Sequence, residues 1–113
     1  MSLNSRAKGK AGELELSAFL RDFGFAARRG QQFKGGGDSP DVLGLPGFHI
    51  KCKRVEQGNP YDWLNQAERD SKTGDVPVVF HRRNRTRWIV VIDALDFLHL
   101  AQRGVHDARE THA

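Results

Sequence analysis

Asp41, Lys51 and Lys53 are the residues of this chain whose types and spacing point most directly to chemistry. Asp41 closes Ser39-Pro40-Asp41, and both lysines lie in His49-Ile50-Lys51-Cys52-Lys53, which reads as a short strand. Side chains alternate across a strand, so Phe48, Ile50 and Cys52 face one way while His49, Lys51 and Lys53 face the other. An aspartate at the start of one strand and two ionisable groups on its neighbour converge on one spot. Phosphodiester hydrolysis uses such a spot. A divalent ion there generates hydroxide and neutralises charge developing on the phosphate. Mg2+ takes a few carboxylates together with water and phosphate oxygens, and a lysine positions the water or stabilises the transition state.

A Pro-Asp pair followed by a strand ending in acid-x-Lys is the core of the PD-(D/E)xK nucleases, and this chain resembles them over nearly its whole length. Lys8-Gly9 with Glu13, the Gly35-Gly36-Gly37 loop before Ser39-Pro40-Asp41, the 49–53 strand and the 78–85 strand and turn recur in order. The pattern is similar to that of the small archaeal-type Holliday junction resolvases and, more closely, of their phage-encoded relatives. The resemblance implies an α/β, restriction-endonuclease-like mixed β-sheet flanked by helices. It also implies Glu13, Asp41 and Lys53 as catalytic residues, with Glu13 and Asp41 holding Mg2+ or Mn2+. The implied activity is metal-dependent, structure-selective cutting of branched DNA in recombination, four-way junctions foremost. Such junctions have approximate two-fold symmetry, and paired cuts need two active sites, so a homodimer is expected. Ser39 and His49 stand beside the spot, and Gln66 matches the polar helix residue that related nucleases often keep near the metal.

Position 51 departs from the pattern, since the acid of the triplet is replaced by Lys51. An ammonium opposes a unit positive charge 4 Å away by about 4 kcal/mol in an effective dielectric of about 20, and a dication by about twice that. Three accounts follow. Lys51 disables cutting while fold and DNA binding persist; a carboxylate such as Glu56 or Glu68 takes the missing place; or Lys51 reaches Asp41 and Glu13 as an ion pair that replaces the metal. Sequence spacing places neither Glu56 nor Glu68 to substitute.

The chain has 113 residues, enough for one domain, expected over 1–105 with 106–113 as a frayed tail. A 38% hydrophobic and 28% charged composition is that of a globular chain. Cys52 is the single cysteine, which leaves no internal disulfide and no multi-cysteine zinc site. No apolar run approaches the roughly 18–20 residues of a membrane span, and no signal-peptide pattern opens the chain. The expected location is the cytoplasm, that of the host for a phage-encoded protein. A net charge of +4 and a pI near 9.6 favour a polyanionic partner. The clusters say more: Arg28, Arg29 and Lys34 form one, Lys51, Lys53 and Arg54 a second, and Arg82, Arg83, Arg85 and Arg87 a third. DNA contacts are expected from the first and third.

Leu16, Phe19, Leu20 and Phe23 repeat with helical period and predict a helix over 5–23, stopped by Gly24. Strands are predicted over 25–29, 41–45, 48–54, 76–82 and 87–92, with a loop over 31–39. A helix over 60–72 has Asn59 as N-cap and Pro60 at its first position. Asp93 caps a last helix ending near residue 102. The order α-β-β-β-α-β-β-α predicts an α/β domain with a mixed sheet. Leu14, Trp63 and Trp88 are the apolar candidates for a dimer surface.

Overall fold

Val78, Val79 and Phe80 form the buried middle of one strand, and the other layers build outward from it. A computed structural model describes residues 3–30, 39–71 and 74–111, with side chains described for 7–30, 39–71 and 74–104. Lys34 and the loop over 31–38 lie outside the described residues. The elements are α1 (Leu3–Asp22), β1 (Arg28–Arg29), β2 (Val42–Leu43), β3 (Phe48–Lys53), α2 (Pro60–Asp70), β4 (Val76–His81), β5 (Ile89–Ile92) and α3 (Ala94–Thr111). The protein is therefore α/β, with three helices and a five-stranded mixed sheet in the order β1-β2-β3-β4-β5.

The pairs β1/β2, β2/β3 and β4/β5 are antiparallel, and β3/β4 is parallel, with Ile50 opposite Val78 and Lys51 opposite Val79. Parallel neighbours need a crossover, and α2 supplies it. Strand alternation then sorts the core into two layers. Leu16 and Leu20 of α1 pack on Val42, Ile50, Val78 and Phe80, while Trp63 and Ala67 of α2 pack on Val79. Trp63, a candidate for a dimer surface, is thus buried under the sheet. No described helix is long and apolar enough to cross a membrane.

The boundaries differ from expectation in ways the chemistry explains. The first two strands are only two residues each. Gly44 closes β2 at φ +106, and a Cβ there would lie 2.2 Å from the Ala26 carbonyl oxygen, so the chain turns where it was expected to extend. Phe19 and Phe23 of the expected apolar stripe stay exposed and meet edge to face, with Phe19 also against Trp88. Gly24 ends α1 at φ 92, and the Phe25 amide closes the last turn on the Leu20 carbonyl. Asn59 and Pro60 start α2 as expected, the Asn59 side chain accepting from the Tyr61 amide. The last helix runs to Thr111, past its expected end, because no proline follows Asp93 to stop it.

Leu16 is fully buried in the α1 layer. Leu16→Ala is expected to lower the unfolding free energy by about 2–5 kcal/mol. A urea titration would read this as a lower midpoint at unchanged slope; a loss under about 1 kcal/mol would mean that α1 is not seated on this face.

Candidate active site

The β2/β3 pairing sets the site. Val42 lies opposite Ile50, so Asp41, one residue before β2, sits beside Lys51. The Asp41 amide donates to the Ile50 carbonyl at 2.8 Å, and the Cys52 amide donates to Asp41 Oδ2 at 2.8 Å. The aspartate is thereby pinned to the strand that carries both lysines.

Lys51 is buried on the α2 face of β3, and its ammonium lies among three oxygens. Nζ is 3.2 Å from Asp70 Oδ2 and 3.7 Å from Asp41 Oδ1, and it donates to the Ser39 carbonyl at 3.2 Å. The Asp70 contact is an ion pair without the direction of a hydrogen bond. Asp70 is the last residue of α2, where the helix dipole disfavours an acid. The ammonium offsets part of the negative charge that Asp70, the helix end and Asp41 bring together.

Glu13, on α1, accepts from Arg29 Nε at 2.6 Å. Burial raises its pKa above the ordinary 4.5, the Asp41 carboxylate adds to the rise, and Arg29 and Lys51 oppose it. Glu13, Asp41 and Lys51 therefore act on one another through space, but the direct partner of Glu13 is Arg29 and not Lys51. His49 is buried on the same face of β3 as Lys51, its Nε2 without a hydrogen-bond partner in the described structure. Burial and the Lys51 ammonium lower its pKa below 6.5, against the pull of Asp70, Asp41 and Asp75. The Cys52 thiol packs against the α1 layer and burial pushes it up to about 12, which removes it as a nucleophile.

Lys53 is half-buried and lines a cleft of about 710 Å³ with Lys8, Glu15, Arg54 and Asn84. Glu13, Asp41 and Lys51 are absent from that lining. Ser39 enters the site through its carbonyl. Gln66 is exposed one turn before Asp70, and it is Asp70 that reaches in from α2. Asp70 was missed at the sequence level although Trp63, Ala67 and Asp70 fall at i, i+4, i+7 on the buried face of α2. Glu56 is occupied elsewhere, accepting from the Asn84 amide, and Glu68 is exposed. Neither replaces the missing acid.

A divalent ion does not fit this donor set as it stands. Lys51 holds a positive charge between Asp41 and Asp70, Asp41 Oδ2 accepts from Cys52, and Glu13 is paired with Arg29. Among the described residues no three His, Cys, Asp or Glu side chains are grouped to hold a metal.

Of the arginines expected to meet DNA, Arg29 is tied to Glu13, and Arg82 is tied to Glu15 at 2.6 Å. Glu15 also pairs with Arg54, a network that the sequence reading did not contain. Arg28, Arg83, Arg85 and Arg87 are exposed, the last three around the β4/β5 turn, where Arg85 takes φ 59. Comparison with known protein families, curated proteins and solved structures finds no match.

Two outcomes are expected from the buried charges. Lys51→Met removes the buried cation that Asp41 and Asp70 share and should cost about 3–5 kcal/mol. Adding Asp41→Asn and Asp70→Asn should recover much of that loss in denaturant titrations. His49 has a folded pKa below 6.5, so its contribution to stability is full above 6.5 and is lost as pH falls from there towards the folded value. The difference in stability between the protein and a His49→Asn variant, measured on both sides of that pH, should carry this slope; a flat difference would refute it.

Proposed function

We propose that this chain is a restriction-endonuclease-like protein that holds branched DNA, four-way junctions foremost, without cutting it. The observation that carries this reading is the Lys51 ammonium lodged between Asp41 and Asp70, where the related nucleases keep a metal-binding acid. The mixed sheet with a helix packed on each face supports the fold half of the reading. Exposed Arg28, Arg83, Arg85 and Arg87 on a chain of net charge +4 support the DNA half. A two-fold junction takes two copies of the chain.

A second reading is a Mg2+- or Mn2+-dependent, structure-selective endonuclease of recombination, a hydrolase. The mutual influence of Glu13 and Asp41 favours it, as does Lys53 at the cleft wall. In it Glu13 and Asp41 would be the metal's carboxylates once Arg29 and Lys51 no longer paired with them, and Lys53 would serve the scissile phosphate.

A labelled four-way junction incubated with Mn2+ or Mg2+ separates the readings. The chain as given should bind and not cut. Lys51→Glu removes a repelling cation and adds a ligand, so cleavage should rise at least about tenfold, or about 1.4 kcal/mol, with tighter metal binding. Cutting by the chain as given at the rate of its Lys51→Glu version would overturn the first reading in favour of the second. Binding itself should be salt-dependent. Arg83→Ala, Arg85→Gly and Arg87→Ala together should lower the salt slope by about one unit per phosphate contact removed. Unchanged affinity and slope would remove that turn from the DNA surface.

A further inference from the structure

A basic pocket opens at the foot of the β4/β5 turn. His81, Arg82, Arg83, Thr86, Arg87 and Ile89 enclose about 260 Å³, room for one phosphate group with a few waters. No acid lines it among the described residues. Arg82 is already engaged, its Nη1 on Glu15 and its Nε on the Thr86 carbonyl, so the side chains left for a ligand are Arg83, Arg87 and His81. The walls are fixed before any ligand arrives. The Thr86 hydroxyl accepts from the Arg83 amide and donates to the Arg83 carbonyl, both at 3.0 Å. The Arg82 amide donates to the Lys53 carbonyl at 3.1 Å. His81 is buried, pairs with Ile89 across the strands and lies against Trp63 with ring centroids 4.6 Å apart. Its Nε2 is 3.0 Å from the Val55 carbonyl. A carbonyl only accepts, so in the neutral ring Nε2 carries the proton and Nδ1 keeps the lone pair. Nδ1 makes no hydrogen bond among the described residues and is the ring nitrogen left for a ligand.

We propose that this pocket takes a phosphomonoester, the phosphate at the end of a DNA strand. Two exposed guanidiniums, Arg83 and Arg87, bring the paired donors that phosphate oxygens accept. A phosphodiester within a strand would satisfy the arginines as well; the imidazole separates the two ligands. A diester has no proton to give, so the Nδ1 lone pair repels its oxygens. A monoester has a second ionisation with a pKa of about 6 and three oxygens free of carbon. One proton is then shared between such an oxygen and Nδ1, whichever of the two holds it. Enclosure acts in the same direction, since an end phosphate enters with one carbon substituent and an internal phosphate brings two. The pocket stands on its own residues. That DNA carries the phosphate rests on the proposed function, and it makes a nicked or broken branch the preferred form over one of continuous strands.

A short duplex with an internal dye, carrying 5′-phosphate, 3′-phosphate or hydroxyl ends, tests this by fluorescence anisotropy. At least one phosphorylated form should bind about tenfold more tightly than the hydroxyl form. At constant ionic strength, inorganic phosphate should compete that difference away, leave binding of the hydroxyl form unchanged and shift the His81 ring resonances in NMR spectra. Arg83→Gln with Arg87→Gln should abolish the preference; both side chains are exposed, and circular dichroism checks that the variant is folded. Arg85→Gly, at a residue outside the pocket, should weaken all three duplexes alike and keep the preference. Equal affinity for the three duplexes would overturn the inference and leave the proposed function standing, since the hydroxyl form and a closed junction report that function by themselves. A preference that survives the double variant, or one lost in Arg85→Gly, would overturn it too. A His81 shift with inorganic phosphate and no preference among the duplexes would make free phosphate the ligand and remove the strand end.

Discussion

An ammonium taken out of water between β2, β3 and the end of α2 has to be neutralised where it lies, because charges repel or attract several-fold more strongly there than in solvent. Lys51 meets that requirement with Asp41, Asp70 and the Ser39 carbonyl. These partners come from two separate stretches of chain, Ser39–Asp41 and the end of α2, and Lys51 joins both to β3. The ion cluster therefore specifies how β2 enters the sheet and where α2 stops, in a way that apolar packing of Trp63 and Ala67 alone does not. Buried ion pairs add little net stability compared with apolar packing, but they penalise any arrangement that leaves one member alone. The geometry around position 51 is set by avoidance of that penalty.

The carboxylates of α1 divide the arginines into two populations. Glu13 and Glu15 hold Arg29, Arg54 and Arg82 against the body of the protein. Arg28, Arg83, Arg85 and Arg87 are left projecting. Charge clusters that look uniform along the chain thus split into a structural set and an exposed set once the fold brings α1 over the strands.

Periodicity carried most of the architecture. The alternation of His49, Ile50, Lys51 and Cys52 placed Lys51 on a different face from the α1 layer, and the cap at Asn59-Pro60 placed the start of α2. Asp41 and Lys51 were legible as neighbours because antiparallel strands on either side of Pro46-Gly47 must bring them together. What was not legible came from non-local steric limits. The close approach of Gly44 to Ala26 shortens β1 and β2, and no local pattern announces it. Asp70 was hidden because an acid ending an exposed-looking helix reads as a solvated residue until the sheet beneath it is known to carry a cation. The last helix was expected to end near residue 102, whereas α3 continues through Gly104 to Thr111.

Asp70 at the negative end of α2 has a consequence for what position 51 can hold. An acidic side chain there would join Asp41, Asp70 and the helix end, so such a protein would need a bound cation to hold its own interior together. With lysine the cation is part of the chain. Exchange of acid for lysine relaxes this corner in a single step whatever the metal supply, whereas the return step restores the mutual repulsion before any metal arrives to relieve it. A lysine at position 51 therefore supplies from within the chain the positive charge that an acid there would have to draw from solution.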